Sequence, residues 1–313
     1  ATSSDEAVVI ATPDADATSD AHALRVSQLA ESVRLASSGA ITATGNEKTT
    51  LASQFGLSSN FNLLLNGKTI TVDVNQSINT VVSQINAADA GVVAKYDTTL
   101  DRFFLASTVP GKYEADGSGA RLDLAGNSAA AMSFLTDDLA LPISSYKASN
   151  ATITPTGNPK LSTTTLAAQL GVAGSFNIVL NGKTIAVDTA TMTMDQLMTQ
   201  MSTATNVAAT YYRDLDRVFM KSSNAGTAYD FTGSDPAATT FLTTNLKVMS
   251  TDSVMARGQD ALVNYDGAEL TIKDNSFSAD GATYQLKGVS TSDVVVTIGV
   301  DGDKVVENVK KFI

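Results

Sequence analysis

The sequence predicts an α+β protein, predominantly antiparallel β, in which a discontinuous β-rich domain is interrupted by two tandem β-hairpin/helix/β-hairpin modules. Three observations predict it. The thirteen residues from Phe61 to Asp73 are repeated from Phe176 to Asp188, with the pentapeptide Asn-Gly-Lys-Thr-Ile identical in both and 115 residues apart. Each copy is followed by apolar residues at helical spacing and then by a second alternating stretch. The stretch from Gly258 on carries short β-type runs separated by Asp-Gly turns and does not match the repeat.

Each thirteen-residue copy reads as a hairpin. Asn-Gly is the strongest two-residue signal for a type I′ turn, because both turn positions need positive φ. The arms alternate, with Phe61, Leu63 and Leu65 on one face going out and Ile70 and Val72 returning. The repeat extends both ways. Upstream, residues 50–56 match residues 165–171 at the same offset; downstream, Ile78, Val81, Val82 and Ile85 match Met194, Leu197, Met198 and Met201 after one inserted residue. Beyond the helix, Leu100 to Leu105 matches Leu215 to Met220, back at 115. Insertions confined to loops mark a duplicated folded unit. Hairpin, helix, hairpin is the order of a β-grasp-like module, a small sheet packed on one helix.

The first module is expected over residues 46–150 and the second over 151–250. Within the first, a glycine-rich segment from Gly111 to Gly119 precedes a strand expected over residues 120–124. Phe134-Leu135-Thr136 is echoed by Phe241-Leu242-Thr243. Residues 141–160, with Pro142, Pro155 and Pro159, read as a connector. The outer β domain is expected from residues 1–45 and 251–302. Its strands are Val8–Ile10, ended by Pro13, the stretch from Ala23 to Leu29, and the runs near 262–272, 284–288 and 294–298, with turns at Asp266-Gly267 and Asp280-Gly281. Residues 30–36 fit either an extended strand or a helical turn. Residues 303–313 are expected to begin a helix capped by Asp303, with Val305, Val306, Val309, Phe312 and Ile313 on one stripe. A helix that stops with large apolar residues uncovered is expected to continue in a longer protein.

Composition narrows the functional classes. The 313 residues are 43% hydrophobic but 6% aromatic, without Trp, so the cores are aliphatic and divided. The net charge of −11 argues against nucleic acid, whose phosphates need clustered Lys and Arg. Zero Cys removes disulfides, thiolate metal sites and Cys nucleophiles. No apolar run is long enough to span a bilayer and no cleavable leader opens the sequence, so neither membrane insertion nor a cleaved signal peptide is expected.

Candidate chemical groups reduce in the same way. His22 is the single histidine, and no G-x-S-x-G elbow accompanies it; it reads as a surface or edge-strand residue. Asp14, Asp16 and Asp20 lack the Gly and bidentate Glu of a calcium loop, and Asp301-Gly302-Asp303 fails similarly. Asp101-Arg102 and Asp216-Arg217 read as solvated turns carrying weak ion pairs. Gly111, Gly117 and Gly119 form no phosphate loop. Met192, Met194, Met198 and Met201 stand where the first copy has Ile and Val, and read as core. The expected set of catalytic, cofactor-binding and metal-binding residues is therefore none, and no cofactor is expected.

Residues 23–30, Ala-Leu-Arg-Val-Ser-Gln-Leu-Ala, resemble a strand near the start of the head domains of flagellar cap proteins, also called hook-associated protein 2. Gly258-Gln259-Asp260-Ala261, Asp266-Gly267, Asn275-Ser276, Gly281, Leu286-Lys287-Gly288, Val294 to Thr297 and the stretch from Asp301 to Phe312 resemble that family's C-terminal head pattern in order. The modules resemble repeats inserted in flagellin and hook-associated proteins. The resemblance implies an extracellular structural protein at the flagellar filament tip, secreted without a cleaved signal. It implies a ring-like homo-oligomer with helical, coiled-coil legs, working beside flagellin and hook–filament junction proteins to promote flagellin polymerisation without catalysis. The competing expectation is a surface adhesin whose modules bind host glycan or mucin.

Overall fold

The computed structural model describes residues 1–15, 17–41, 49–223, 229–250 and 254–299. It is mixed α+β with mainly antiparallel strands in several small sheets. The chain divides into two compact units, one of residues 1–32, 109–113 and from Gly258 on, the other of residues 33–108 and 114–257.

The first unit has a five-stranded antiparallel sheet in the order Thr2–Ser3, Val294–Ile298, Asp20–Gln28, Ala261–Tyr265, Ala268–Ile272. Its central strand, Asp20–Gln28, is hydrogen-bonded on both sides to strands more than 230 residues later in the sequence. A second sheet joins Ser276–Ala279, Ala282–Leu286 and Val9–Pro13. Alternation sets the buried face: His22, Leu24 and Val26 point inward while Arg25 and Ser27 are exposed. Leu24 and Val26 pack with Val9, Val263, Tyr284, Val294, Val296 and Ile298 into one core. The hairpin turns have the left-handed φ their residues favour, 49° and 88° at Asp266-Gly267, 49° and 72° at Asp280-Gly281.

Short backbone and side-chain bonds tie this unit's separate segments. Glu31 and Gln259 exchange backbone bonds at 2.9 and 3.1 Å. Asn275 accepts from Ala30 N at 2.7 Å and donates to Ala30 O at 2.9 Å. The Gly111 amide donates to Glu31 O at 3.2 Å, and Lys112 N donates to Asp260 Oδ1 at 2.7 Å. A five-residue piece from the middle of the sequence is thus built into the outer unit.

The second unit holds both modules, each with its own core. The hairpins Phe61–Leu65/Lys68–Val72 and Ser175–Leu180/Lys183–Asp188 turn at Asn66-Gly67 and Asn181-Gly182, all four residues at positive φ. Helices Ile78–Ala87 and Met194–Ala204 start at Ser77 and Thr193, whose hydroxyls accept the orphan amides of Thr80 and Gln196. Their buried stripes are Ile78, Val81 and Ile85 in one, and Met194, Leu197, Met198 and Met201 in the other. Met192, Met194, Met198 and Met201 are all core residues. The second hairpins run Val92–Asp97/Arg102–Ser107 and Val207–Tyr212/Arg217–Ser222. Within each module the two hairpins lie in separate sheets rather than one.

The structure adjusts several expectations. Residues 33–41 do not belong with the outer strands: Arg34–Ala36 is a strand paired to Arg102–Ser107, which also resolves the open reading of 30–36. The stretch 141–160 is not simply a connector, because Tyr146–Ala148 is the equivalent strand of the second module, paired to Arg217–Ser222. The likeness extends to the next residue: Ser37 N donates to Phe103 O at 2.8 Å, and Ser149 N to Val218 O at 2.9 Å. The Phe-Leu-Thr echo is helical. Ala129–Ser133 continues into a π-helix over Phe134–Asp138, and Pro236–Thr240 into another over Phe241–Asn245. These helices are too short for periodicity to announce them, and tertiary burial of Phe134, Leu135, Phe241 and Leu242 holds them. Residues 303–313, Asp16 and the Asp301–Asp303 motif lie outside the described residues.

Candidate functional site

His22 is neither on the surface nor on an edge. It sits on the central strand of the outer sheet, and its side chain is 6% exposed. Its Nδ1 lies 2.8 Å from Asp266 Oδ2, while Asp266 Oδ1 accepts from Ala23 N at 2.7 Å. These bonds, that of His22 first, hold the Asp266 carboxyl below the usual range. The imidazole stacks on Tyr265 with centroids 5.1 Å apart and meets the edge of Tyr284 at 6.2 Å. Tyr265 Oη donates to Asp280 Oδ2 at 2.7 Å, and burial raises both phenols above their ordinary range.

This pair is two-thirds of a nucleophile-activating set, and the third part is missing. His22 Nε2 is buried without a hydrogen-bond partner among the described residues. General-base work needs a proton within reach of that nitrogen. What surrounds the ring is aromatic, so the assembly locks the Asp266-Gly267 and Asp280-Gly281 turns against the central strand.

The second Asp-Arg pair is also not a solvated turn, whereas Asp101 and Arg102 of the first are half-buried. Asp216 is 3% exposed. Its Oδ1 accepts from Tyr211 Oη at 2.7 Å and Thr154 Oγ1 at 2.6 Å, and its Oδ2 accepts from Thr154 N at 3.0 Å. Gln169 Nε2 donates to Tyr211 Oη at 2.9 Å and Thr154 Oγ1 at 3.0 Å, closing the network. Burial, then the bond to Asp216, pushes the Tyr211 phenol up. Arg217 reaches Asp123 Oδ2 at 3.3 Å. In the first module Tyr96 Oη donates to Asp101 Oδ1 at 2.7 Å and Arg102 donates to Ser37 O. A buried carboxylate surrounded by its own chain's donors organises a hairpin and presents nothing to a ligand.

A cavity of about 400 Å³ in the two-module unit is lined by Met132, Ile143, Tyr146, Tyr229, Val254 and Asp137, among others. Its polar groups are engaged: Ser133 Oγ and Thr136 Oγ1 donate to Asp137 at 2.6 and 3.0 Å. The neighbouring Asp138 is raised to about 6, first by burial and then by the Asp137 charge. In the second copy the aligned residue, counted from Phe241 as Asp138 is from Phe134, is Asn245.

That difference makes a prediction. Unfolded, Asp138 releases its proton near the ordinary value of 3.8; folded, it keeps it to about 6. The folded state therefore binds more protons in this window, and stability falls as pH rises through it. Asp138→Asn should stabilise the protein by about 1 kcal/mol at pH 7, allowing for solvent screening, and by almost nothing below pH 4. Urea melts at pH 3.5, 5 and 7 check this; an equal effect at all three would show that the carboxyl titrates normally.

Among the described residues no cluster of three or more acidic, His or Cys side chains is placed to hold a metal ion. No helix among the described residues is long and apolar enough to cross a membrane.

A family model described as the flagellin hook IN motif matches residues 60–109, the hairpin–helix–hairpin of the first module. No curated protein matches the chain. Among solved structures, the chain is similar to the D2-D3 domains of the flagellar cap protein FliD from Escherichia coli, at 16% identity over 96% of this chain and 98% of that one, with a TM-score of 0.42. It is similar to FliD (HAP2) from Pseudomonas aeruginosa PAO1, at 18% identity over 97% and 90% of the two chains, TM-score 0.39. The flagellar cap protein FliD from Bdellovibrio bacteriovorus shows 13% identity over 95% and 99%, also at 0.39.

Proposed function

We propose that this chain is the head region of a flagellar filament cap, a structural protein that promotes ordered flagellin addition by shape. The observation that carries the reading is the match of the flagellin hook IN motif to the first module, in a chain that holds a second copy of that module between two β-rich ends. The ordered motifs of those ends support it, and their residues have physical employment. Gln259 pairs with Glu31, Asp260 receives Lys112 N, and Asn275 bridges to Ala30. Pattern residues spent on closing the outer unit, as these three are, belong to architecture rather than to turnover.

In this reading the full-length protein forms a ring-like homo-oligomer outside the cell at the filament tip. Flagellin and the hook–filament junction proteins are its neighbours. A ring whose symmetry mismatches the filament leaves one open gap at a time, and an incoming subunit folds into it. The driving free energy comes from flagellin burying its own apolar surface. The cap transfers no proton, electron or group, so it needs no activated side chain and no cofactor.

The test is genetic. Cells lacking the full-length protein should shed flagellin monomer into the medium, and the intact gene should restore filaments. Filaments of normal length in the deletion strain would refute the reading.

A further inference from the structure

We propose that Val254–Arg257 is a two-faced clasp that fastens the two modules into one rigid body, although each module folds without it. Met255–Arg257, expected in the outer domain, instead falls in the two-module unit, where it follows the second module in sequence and forms a strand with Arg121–Asp123 of the first. Successive side chains of a strand point to opposite sides. Val254 and Ala256, 5% and 2% exposed, belong to the first module's core. Met255 and Arg257 meet the second module instead. Met255 Sδ lies 3.5 Å from Arg217 Nη1, the same nitrogen that reaches Asp123 Oδ2 of the first module at 3.3 Å. The Arg257 guanidinium carbon sits 3.7 Å from the Tyr212 ring centroid and 5.3 Å from that of Phe219. Its Nη2 is 3.6 Å from Asp214 Oδ2, and its side chain is only 4% exposed.

The division of labour by alternation makes this a fastening rather than a chance approach. Backbone bonds and small side chains hold the strand to one module, and a buried cation between aromatic rings holds it to the other. The modules have separate apolar cores, and the clasp adds Val254 and Ala256 to the first and nothing to the second. Duplication supplies the two modules; these four residues make them one body.

The test is amide hydrogen exchange, read by mass spectrometry on the full chain and two variants. Arg257→Ala removes the plug against Tyr212 and leaves the strand. Ala256→Pro attacks the ladder: Leu124 N donates to Val254 O at 3.0 Å, so antiparallel alternation makes Ala256 and Leu122 the next hydrogen-bonded pair. Exchange at residues 121–124 in Ala256→Pro, and at 211–219 in Arg257→Ala, should accelerate by about tenfold or more while helices Ile78–Ala87 and Met194–Ala204 keep their protection. Protection lost in those helices as well, or an Arg257→Ala chain that does not fold, would overturn the proposal, since the modules would then not fold independently. Unchanged exchange at 211–219 in the Arg257→Ala protein would overturn it too. If Ala256→Pro fails to fold, Arg257→Ala decides alone.

Discussion

Replacing Gly111 by Ala should destabilise the protein by about 3 kcal/mol, far more than its small size suggests. The residue has φ +85°, where an L side chain is strained. It is also crowded: a Cβ would stand 2.5 Å from the backbone oxygen of Lys273 and 3.0 Å from Lys273 Cβ. The obstruction is backbone, so no rotamer change relieves it. Moving the segment aside would sacrifice the bond from Gly111 N to Glu31 O and disturb Lys112 N on Asp260. Gly117 supplies the control, with φ +88° but nothing within 4 Å of where a Cβ would stand. Gly117→Ala should cost about 1 kcal/mol, the conformational part alone. Urea denaturation of both variants measures the difference, and equal costs would mean that the segment 109–113 is not held against Lys273.

Asp216→Ala should cost about 3 to 4 kcal/mol in the second module. The carboxylate takes hydrogen bonds from Tyr211 Oη, from Thr154 Oγ1 and from Thr154 N, and its removal takes from all three donors the acceptor they share. A buried donor left unpaired loses its full desolvation energy, which exceeds the net gain of the bond. Asp216 also has φ 52°, a region Asp tolerates better than Ala. Asp216→Gly relieves that second cost while still deleting the carboxylate, so it should recover about 1 kcal/mol. Tyr211→Phe, combined with Asp216→Ala in a double-mutant cycle, should show strong coupling because both sit in one network. A loss below about 1 kcal/mol for Asp216→Ala would mean that water replaces the carboxylate and the network is wet.

Both residues show how far sequence reading goes. Gly111 is visible as one of several glycines in a loose stretch, and nothing local separates it from Gly117. The difference is Lys273, 162 residues away. Asp216-Arg217 at a hairpin turn looks solvated because such turns usually are. Thr154 and Gln169, from segments that precede the hairpin, bury it. His22 misleads in the same manner. A histidine between two alanines at a strand start carries no sign of depth; its strand becomes central only because partners arrive from beyond residue 260. One signal was available and subtle: the second copy has Asn245 where the first has Asp138, a neutral residue replacing one whose charge the fold disfavours.

The sequence by itself determined the duplication, the Asn-Gly and Asp-Gly turns, the two amphipathic helices and the absence of thiol chemistry. Those features follow from φ preferences and from periods of two and 3.6, which are read between residues a few positions apart. Tertiary structure alone decided that Arg34–Ala36 and Tyr146–Ala148 complete the module sheets, that residues 109–113 return to the outer unit, and that Val254–Arg257 joins one module's core to the other's surface. A segment of three to five residues has too little pattern to announce itself, and its stability resides in the distant backbone that satisfies its hydrogen bonds.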